Sequence, residues 1–211
     1  MAAYSYIKDP ELIYAESFAR VRAFAPFDGM TPNMIDIAVR LIHACGMPDV
    51  INDLDYSDEL FERAVAALLS GCSVFCDCEM VASGITRRFL PKNNKVIVTL
   101  NNPQTKQIAT MHQITRSAAA IDLWGDDFAG AVVAIGNAPT ALFRLLERID
   151  EGLSPPAAIL GFPVGFVGAS ESKQALAAHP DKIAFMALHG TRGGSALAAA
   201  AVNALALAAK S

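Results

Sequence analysis

The stretch Ala131-Val132-Val133-Ala134-Ile135-Gly136-Asn137-Ala138-Pro139-Thr140 decides the fold. Its first five residues are small or β-branched and apolar, the signature of a strand in a mainly parallel sheet. Gly136 turns the chain, and Thr140–Ile149 has the length of a helix. A strand, a glycine turn and a helix make half of a βαβ unit.

The same unit recurs on both sides. Ser73–Cys76, Val96–Thr99, Ala157–Leu160 and Ile183–Ala187 read as further strands. Between and after them lie the helix-length segments Ile108–Leu123, Glu171–Ala178 and Ser195–Ala208. The expected architecture is α/β: three layers, α/β/α, around a mainly parallel sheet of approximately five strands. The first third is helical and folds onto the same core. Pro10–Arg22 starts after Asp9. Thr31 caps a second helix with Pro32 in its first position, and Gly46-Met47-Pro48 ends it. Ser57–Ser70 reads as a third helix capped by Ser57. With no long linker and no repeat, residues 1–211 are expected to form a single domain.

Composition excludes several functions. The charge balance of 17 basic against 21 acidic residues gives −4, and nucleic-acid binding normally needs a basic face, so no nucleic-acid partner is expected. Four cysteines, three of them crowded between Cys72 and Cys78, do not describe a disulfide framework. They read as small buried thiols, and no second cysteine pair completes a metal site. The uncharged run Gly193–Ala209 is dominated by alanine and shorter than the roughly 20 residues of a membrane span, so it reads as a close-packed helix. The N-terminus lacks a signal-peptide pattern, and the expected location is the cytoplasm. Apolar residues make up 53% of the chain, somewhat above the usual level of about 45–50%, which favours a subunit interface.

Three strand-to-helix junctions share one property. Ile135–Thr140, Gly161–Gly168 and His189–Ser195 each present small residues and fresh backbone N–H groups at a helix start, where open α/β sheets receive ligands and unpaired amides favour anions. None has the order of a dinucleotide fingerprint or a P-loop. Phe162, Val164 and Phe166 instead suit a broad apolar ligand. On the second helix, Asp36, Arg40 and His43 fall on one polar line. His43 is therefore compatible with a crevice-facing proton carrier or with an ordinary surface histidine. Arg116, Lys173 and Arg192, with Arg87 and Arg88, are open to carboxylate recognition or to solvated pairing. Tyr14 and Ser17 place two hydroxyls on one helix face.

These segments carry a resemblance. Leu41-Ile42-His43-Ala44-Cys45-Gly46-Met47, Asp77-Cys78-Glu79-Met80-Val81-Ala82-Ser83-Gly84-Ile85 and Thr115-Arg116-Ser117-Ala118 resemble successive motifs of the precorrin-8X methylmutase family. So do the segments Ile135–Leu142, Gly161–Val167, Arg192–Ala196 and Ala201–Leu205, in order along nearly the whole chain. The resemblance implies an isomerase of cobalamin synthesis that moves a methyl group from C11 to C12 of a corrin precursor, turning precorrin-8X into hydrogenobyrinate. It implies that His43 handles the proton. A rim of Tyr14, Ser17, Arg116, Gly136, Asn137, Phe162, Val164, Phe166, Lys173, Arg192, Gly193 and Ser195 would hold the substrate. It further implies no cofactor, no metal held by the protein, and a homodimer with pockets near the subunit boundary. Two alternatives stay open: the same rearrangement of cobalt-precorrin-8, giving cobyrinate, and a noncatalytic tetrapyrrole carrier.

Overall fold

The computed structural model describes residues 4–210. Nine α-helices and six strands are found among them: α1 (Pro10–Phe24), α2 (Pro32–Cys45), β1 (Leu54–Tyr56), α3 (Leu60–Leu69), β2 (Val74–Cys76), α4 (Glu79–Gly84), β3 (Val96–Ile97), α5 (Pro103–His112), α6 (Arg116–Asp122), β4 (Val132–Ile135), α7 (Pro139–Asp150), β5 (Ala158–Gly161), α8 (Ala169–Ala177), β6 (Phe185–Leu188) and α9 (Ser195–Ala208). The sheet order is β1-β6-β5-β4-β2-β3. Every pairing is parallel except that of β1 with β6. From β2 the chain goes outward to β3 and then returns to β2's other side for β4, so the winding direction reverses between β2 and β4.

The alternation of side chains along the strands divides the core in two. Val74, Cys76, Val132, Ala134, Leu160 and Met186 face a layer that includes α2, α3, α4 and α9. Phe75, Val133, Ile135, Ile159 and Phe185 face the other layer, with Ile121 of α6, the apolar side of α7 and Leu176 of α8. Two-residue periodicity thus covers both faces with helices, as a parallel sheet requires.

Local capping explains the helix that matters most for the site. Thr31 accepts a bond from the Met34 N–H, Pro32 stands at the first position, and Gly46 closes α2 at φ 70°. α9 is the central helix of its layer: Leu197, Ala198, Ala201, Val202 and Leu205 are buried in it. Burying a valine or leucine this way contributes about 1.5–3 kcal/mol each. The alanine-rich segment is thus a close-packed helix of the core. Its small residues bring α9 close to its own chain's sheet and to α4.

Three other readings change. The sheet has six strands rather than five, because Leu54–Tyr56 adds an antiparallel edge. Ile108–Leu123 is two helices, since Gln113 adopts φ 55° at the end of α5 and Thr115 caps α6. Ser57 does not cap α3, which begins after Glu59. Ser57 Oγ accepts instead from the Phe185 N–H at 3.0 Å, continuing the edge pairing into a side chain.

Candidate active site

His43 sits in the last turn of α2, on its solvent-facing side. α1 crosses that side. The Ser17 hydroxyl lies 2.8 Å from His43 Nδ1, and the rings of Tyr14 and Phe18 stand 5.7 and 5.4 Å from the imidazole. The aromatic pair fences the ring while the hydroxyl fixes its rotation. Nε2 has no hydrogen-bond partner among the described residues and is free for a ligand. An open pocket of about 350 Å³ begins there, with Tyr14, His43, Gly84, Thr86, Ala199 and Asn203 in its lining.

Gly84 and Asn203 shape that pocket. A Cβ on Gly84 would stand 2.7 Å from Ala199 Cβ, so the end of α4 lies flush against α9. Asn203 accepts from the Thr86 N–H at 2.8 Å and donates to the Gly84 carbonyl at 2.9 Å. One of the two polar residues of α9 thereby satisfies the backbone where α4 stops. A Cβ on Gly136 would meet Val81 and Ser195 at 2.6 and 2.8 Å, so this glycine serves packing. Ser195, nearly buried, lies 3.5 Å from Cys78 Sγ.

The junction after β4 is already occupied by the protein itself. Asp77, directly after β2, accepts the N–H groups of Gly136, Asn137 and Ala138, each at 2.9 Å. It stands at the reversal between β2 and β4, where doubly wound sheets usually receive anionic ligands. Burial pushes its carboxyl above the ordinary aspartate range, while the three amides pull it back. The backbone N–H groups of Gly136 and Asn137 are therefore not free for a substrate, which corrects the expectation of fresh amides at this junction, while the Asn137 residue itself is exposed. Asp77 escaped sequence reading because its partners are 59 to 61 positions away.

The remaining expected rim residues divide. Phe162 is buried in the core and presents no side chain to a ligand. Lys173 is equally buried; its Nζ donates to the carbonyls of Pro163 at 3.2 Å and Arg192 at 2.7 Å. It ties the β5–α8 loop to the β6–α9 loop instead of reaching a carboxylate, and burial lowers its pKa to about 8. Arg192 bonds Asp49 at 2.6 Å and Asp53 at 2.5 Å. Its guanidinium is committed to the 3₁₀ turn Pro48–Asp53. A Cβ on Gly193 would stand 2.4 Å from the Phe162 carbonyl oxygen, so this position is a loop crossing rather than an anion cradle. Arg116 remains exposed, donating to the Leu100 carbonyl and to Asn101. Val164 and Phe166 are exposed. Cys76 and Cys78 are buried and burial raises both thiols, the environment of packing cysteines.

A larger opening of about 480 Å³ lies in the other helical layer, bordered by His112, Thr115, Thr140 and Phe143. None of the expected site residues lines it. The His43 pocket, though smaller, has the ring, the hydroxyl that orients it and an apolar floor.

Fold and pocket together define the class: a doubly wound α/β enzyme whose histidine-bearing pocket lies against a helical layer rather than at a nucleotide loop. The chain belongs to the precorrin-8X methylmutase family, whose profile matches residues 12–208. It is 52% identical to the precorrin-8X methylmutase of Pseudomonas aeruginosa over 95% of this chain and 97% of that one. It is 37% identical to the cobalt-precorrin-8 methylmutase of Salmonella typhimurium, over 95% and 96% of the two chains. The solved precorrin-8X methylmutase of Thermus thermophilus superposes with a TM-score of 0.85 at 32% identity, covering 94% of this chain and 97% of that one. Among the described residues no helix is long and apolar enough to cross a membrane.

Proposed function

We propose that this protein, as one catalytic unit over 1–211, is a precorrin-8X methylmutase: an isomerase of cobalamin biosynthesis. The observation that carries the mechanism is His43 with Nδ1 held by Ser17 and Nε2 open to the pocket. The bond from the migrating methyl group to C11 breaks as its bond to C12 forms. His43 lends the macrocycle one proton during the shift and a proton is returned afterwards, so substrate and product have the same composition. Tyr14 and Phe18 keep the ring at one angle, and orientation of a large rigid substrate lowers the remaining barrier. This chemistry asks for no redox step. The metal-free substrate is favoured over cobalt-precorrin-8 by the higher identity to the relative named for it.

The working form in this reading is a cytoplasmic homodimer. Pockets that enclose a large ligand reach about 1,000 Å³, so an opening of about 350 Å³ holds only the reactive edge of a macrocycle. A second surface has to cover the rest. α1 has no buried residue and exposes Leu12, Ile13 and Phe24 together with the pocket-lining Tyr14, and Phe166 and Val167 are exposed as well. Apolar surface of that kind favours a partner.

The test is direct. Purified protein is given precorrin-8X and cobalt-precorrin-8 in parallel, and products are followed by absorbance and by mass. Conversion of the metal-free compound to an isomer of unchanged mass is the expected result. Faster conversion of the cobalt compound moves the enzyme to the other branch, and tight binding of both without conversion makes it a carrier.

A further inference from the structure

The cations that sequence reading assigned to the rim are largely spent within the protein. Lys173 holds two carbonyls, Arg192 two carboxylates, and Arg116 a carbonyl and an amide. Arg40 and Arg88 differ. Both line the His43 pocket, and neither makes an ion pair or a side-chain hydrogen bond among the described residues.

Each guanidinium rests against an aromatic ring. Arg40 Cζ lies 5.1 Å from the Phe18 ring centre, and Arg88 Cζ lies 5.4 Å from that of Phe89. Such contact steadies the planar group without using its N–H donors, which stay available for a carboxylate. The backbone beneath them is fixed as well. Arg40 stands one turn before His43 on α2, so the two side chains share a face. Arg88 follows the segment that Asn203 bonds to α9, and Lys210 Nζ holds its carbonyl at 2.5 Å. Ala196, Ala199 and Ala200 supply an apolar floor in the same lining. Two unspent arginines beside an apolar surface, in a chain of net charge −4, match a flat apolar body that bears carboxylates.

We infer that Arg40 and Arg88 are a two-point clamp for peripheral carboxylates of the macrocycle, and that this clamp places the reactive edge at His43. The inference rests on the methylmutase reading for the identity of the substrate. The charge recognition itself is tested by binding alone.

Hydrogenobyrinate and its fully methyl-esterified form are the probes. Kd for each is measured by absorbance titration with the wild type and with Arg40→Gln, Arg88→Gln and the two lysine variants. Each glutamine variant is expected to bind the acid about tenfold more weakly, as loss of a partly exposed charge-assisted bond implies, with ester affinity unchanged. The lysine variants recover part of the loss, and conversion of precorrin-8X shows a raised KM. Equal losses for acid and ester, or no loss for either, overturn the clamp; should a glutamine variant fail to fold, its lysine counterpart gives the same comparison with the charge kept but the fork removed. Wild-type protein that binds the acid selectively yet converts nothing overturns the catalytic reading and leaves the clamp standing. Full conversion by variants without acid-selective loss does the reverse.

Discussion

The hydroxyl of Ser17 on α1 and Nδ1 of His43 on α2 stand 2.8 Å apart. A helix without a single buried residue thus supplies the group that orients the imidazole. His43→Ala should lower single-turnover conversion by about 10²- to 10⁴-fold, the usual worth of a positioned acid or base. Ser17→Ala should lower it less, because the ring keeps its aromatic fence. Both variants should melt close to the wild type, since His43 is exposed. Near-wild-type turnover by His43→Ala would remove it from the mechanism.

Asp77→Ala leaves three amides at the start of α7 without their acceptor. The Gly136 donor is buried and the other two are part-buried, and one orphaned buried donor costs about 1–3 kcal/mol, so a loss of about 1–3 kcal/mol is expected in urea unfolding. Asp77→Asn should fall between, keeping one carbonyl oxygen but turning a donor toward other donors. A change under 1 kcal/mol for the alanine variant would mean that water replaces the carboxylate.

Lys173 sets a pH dependence whose sign is fixed. Its folded pKa, about 8, lies below the ordinary lysine value of 10.5. Between those limits the unfolded chain holds the proton that the folded protein has released, so stability rises with pH across that window. Below about pH 8 both states are protonated and the contribution is flat. Denaturation of the wild type and of Lys173→Met at matched pH isolates the effect. The difference should move in favour of the wild type from pH 8 to 10, and a constant difference would place the ammonium in water.

At Gly193 a methyl group would overlap the carbonyls of Phe162 and Pro163 at 2.4 and 2.5 Å. Gly193→Ala should therefore unfold at markedly lower temperature or lose ligand affinity through a displaced loop. Phe162→Ala should cost about 3–5 kcal/mol as a buried aromatic. Arg192→Ala should weaken the hold on the Pro48–Asp53 turn and leave the preference of the pocket for acid over ester unchanged. A selective loss of acid binding would instead restore Arg192 to the rim.

Light scattering over a concentration series is expected to give a dimer. Leu12→Glu, in α1, should produce a folded monomer with weaker substrate binding and slower conversion. A wild-type monomer with full turnover at working concentration would remove the partner from the mechanism.

What could be read from the sequence was what is decided locally. Thr31, Pro32 and Gly46 bound α2 through contacts within a few residues, and α9 was placed to the residue. The mainly parallel α/β sheet follows from strand-turn-helix repetition, whereas its strand order does not. Leu54–Tyr56 went unread because three residues carry too little periodicity, and its partner Leu188 is far along the chain. Gln113 ends α5 in a conformation usually marked by glycine, so no breaker announced it. The site divides the same way. His43 on a polar helix face was legible, whereas the commitments of Lys173, Arg192 and the Gly136–Ala138 amides depend on chain segments that only the fold brings together.

The crossing at Gly193 bears on how this sequence can drift. The β5–α8 and β6–α9 loops share the Phe162 carbonyl, which Gly194 N–H reaches at 2.8 Å, and both of their backbones are gripped by Lys173. Gly165 N–H closes the loop pair from the other side on the Thr191 carbonyl at 3.1 Å. Neither loop has a shape of its own to bequeath. A chimaera that imports residues 161–168 from a relative while keeping its native 189–195 inherits a lock without its key. Exchanging the two segments together should give the folded hybrid.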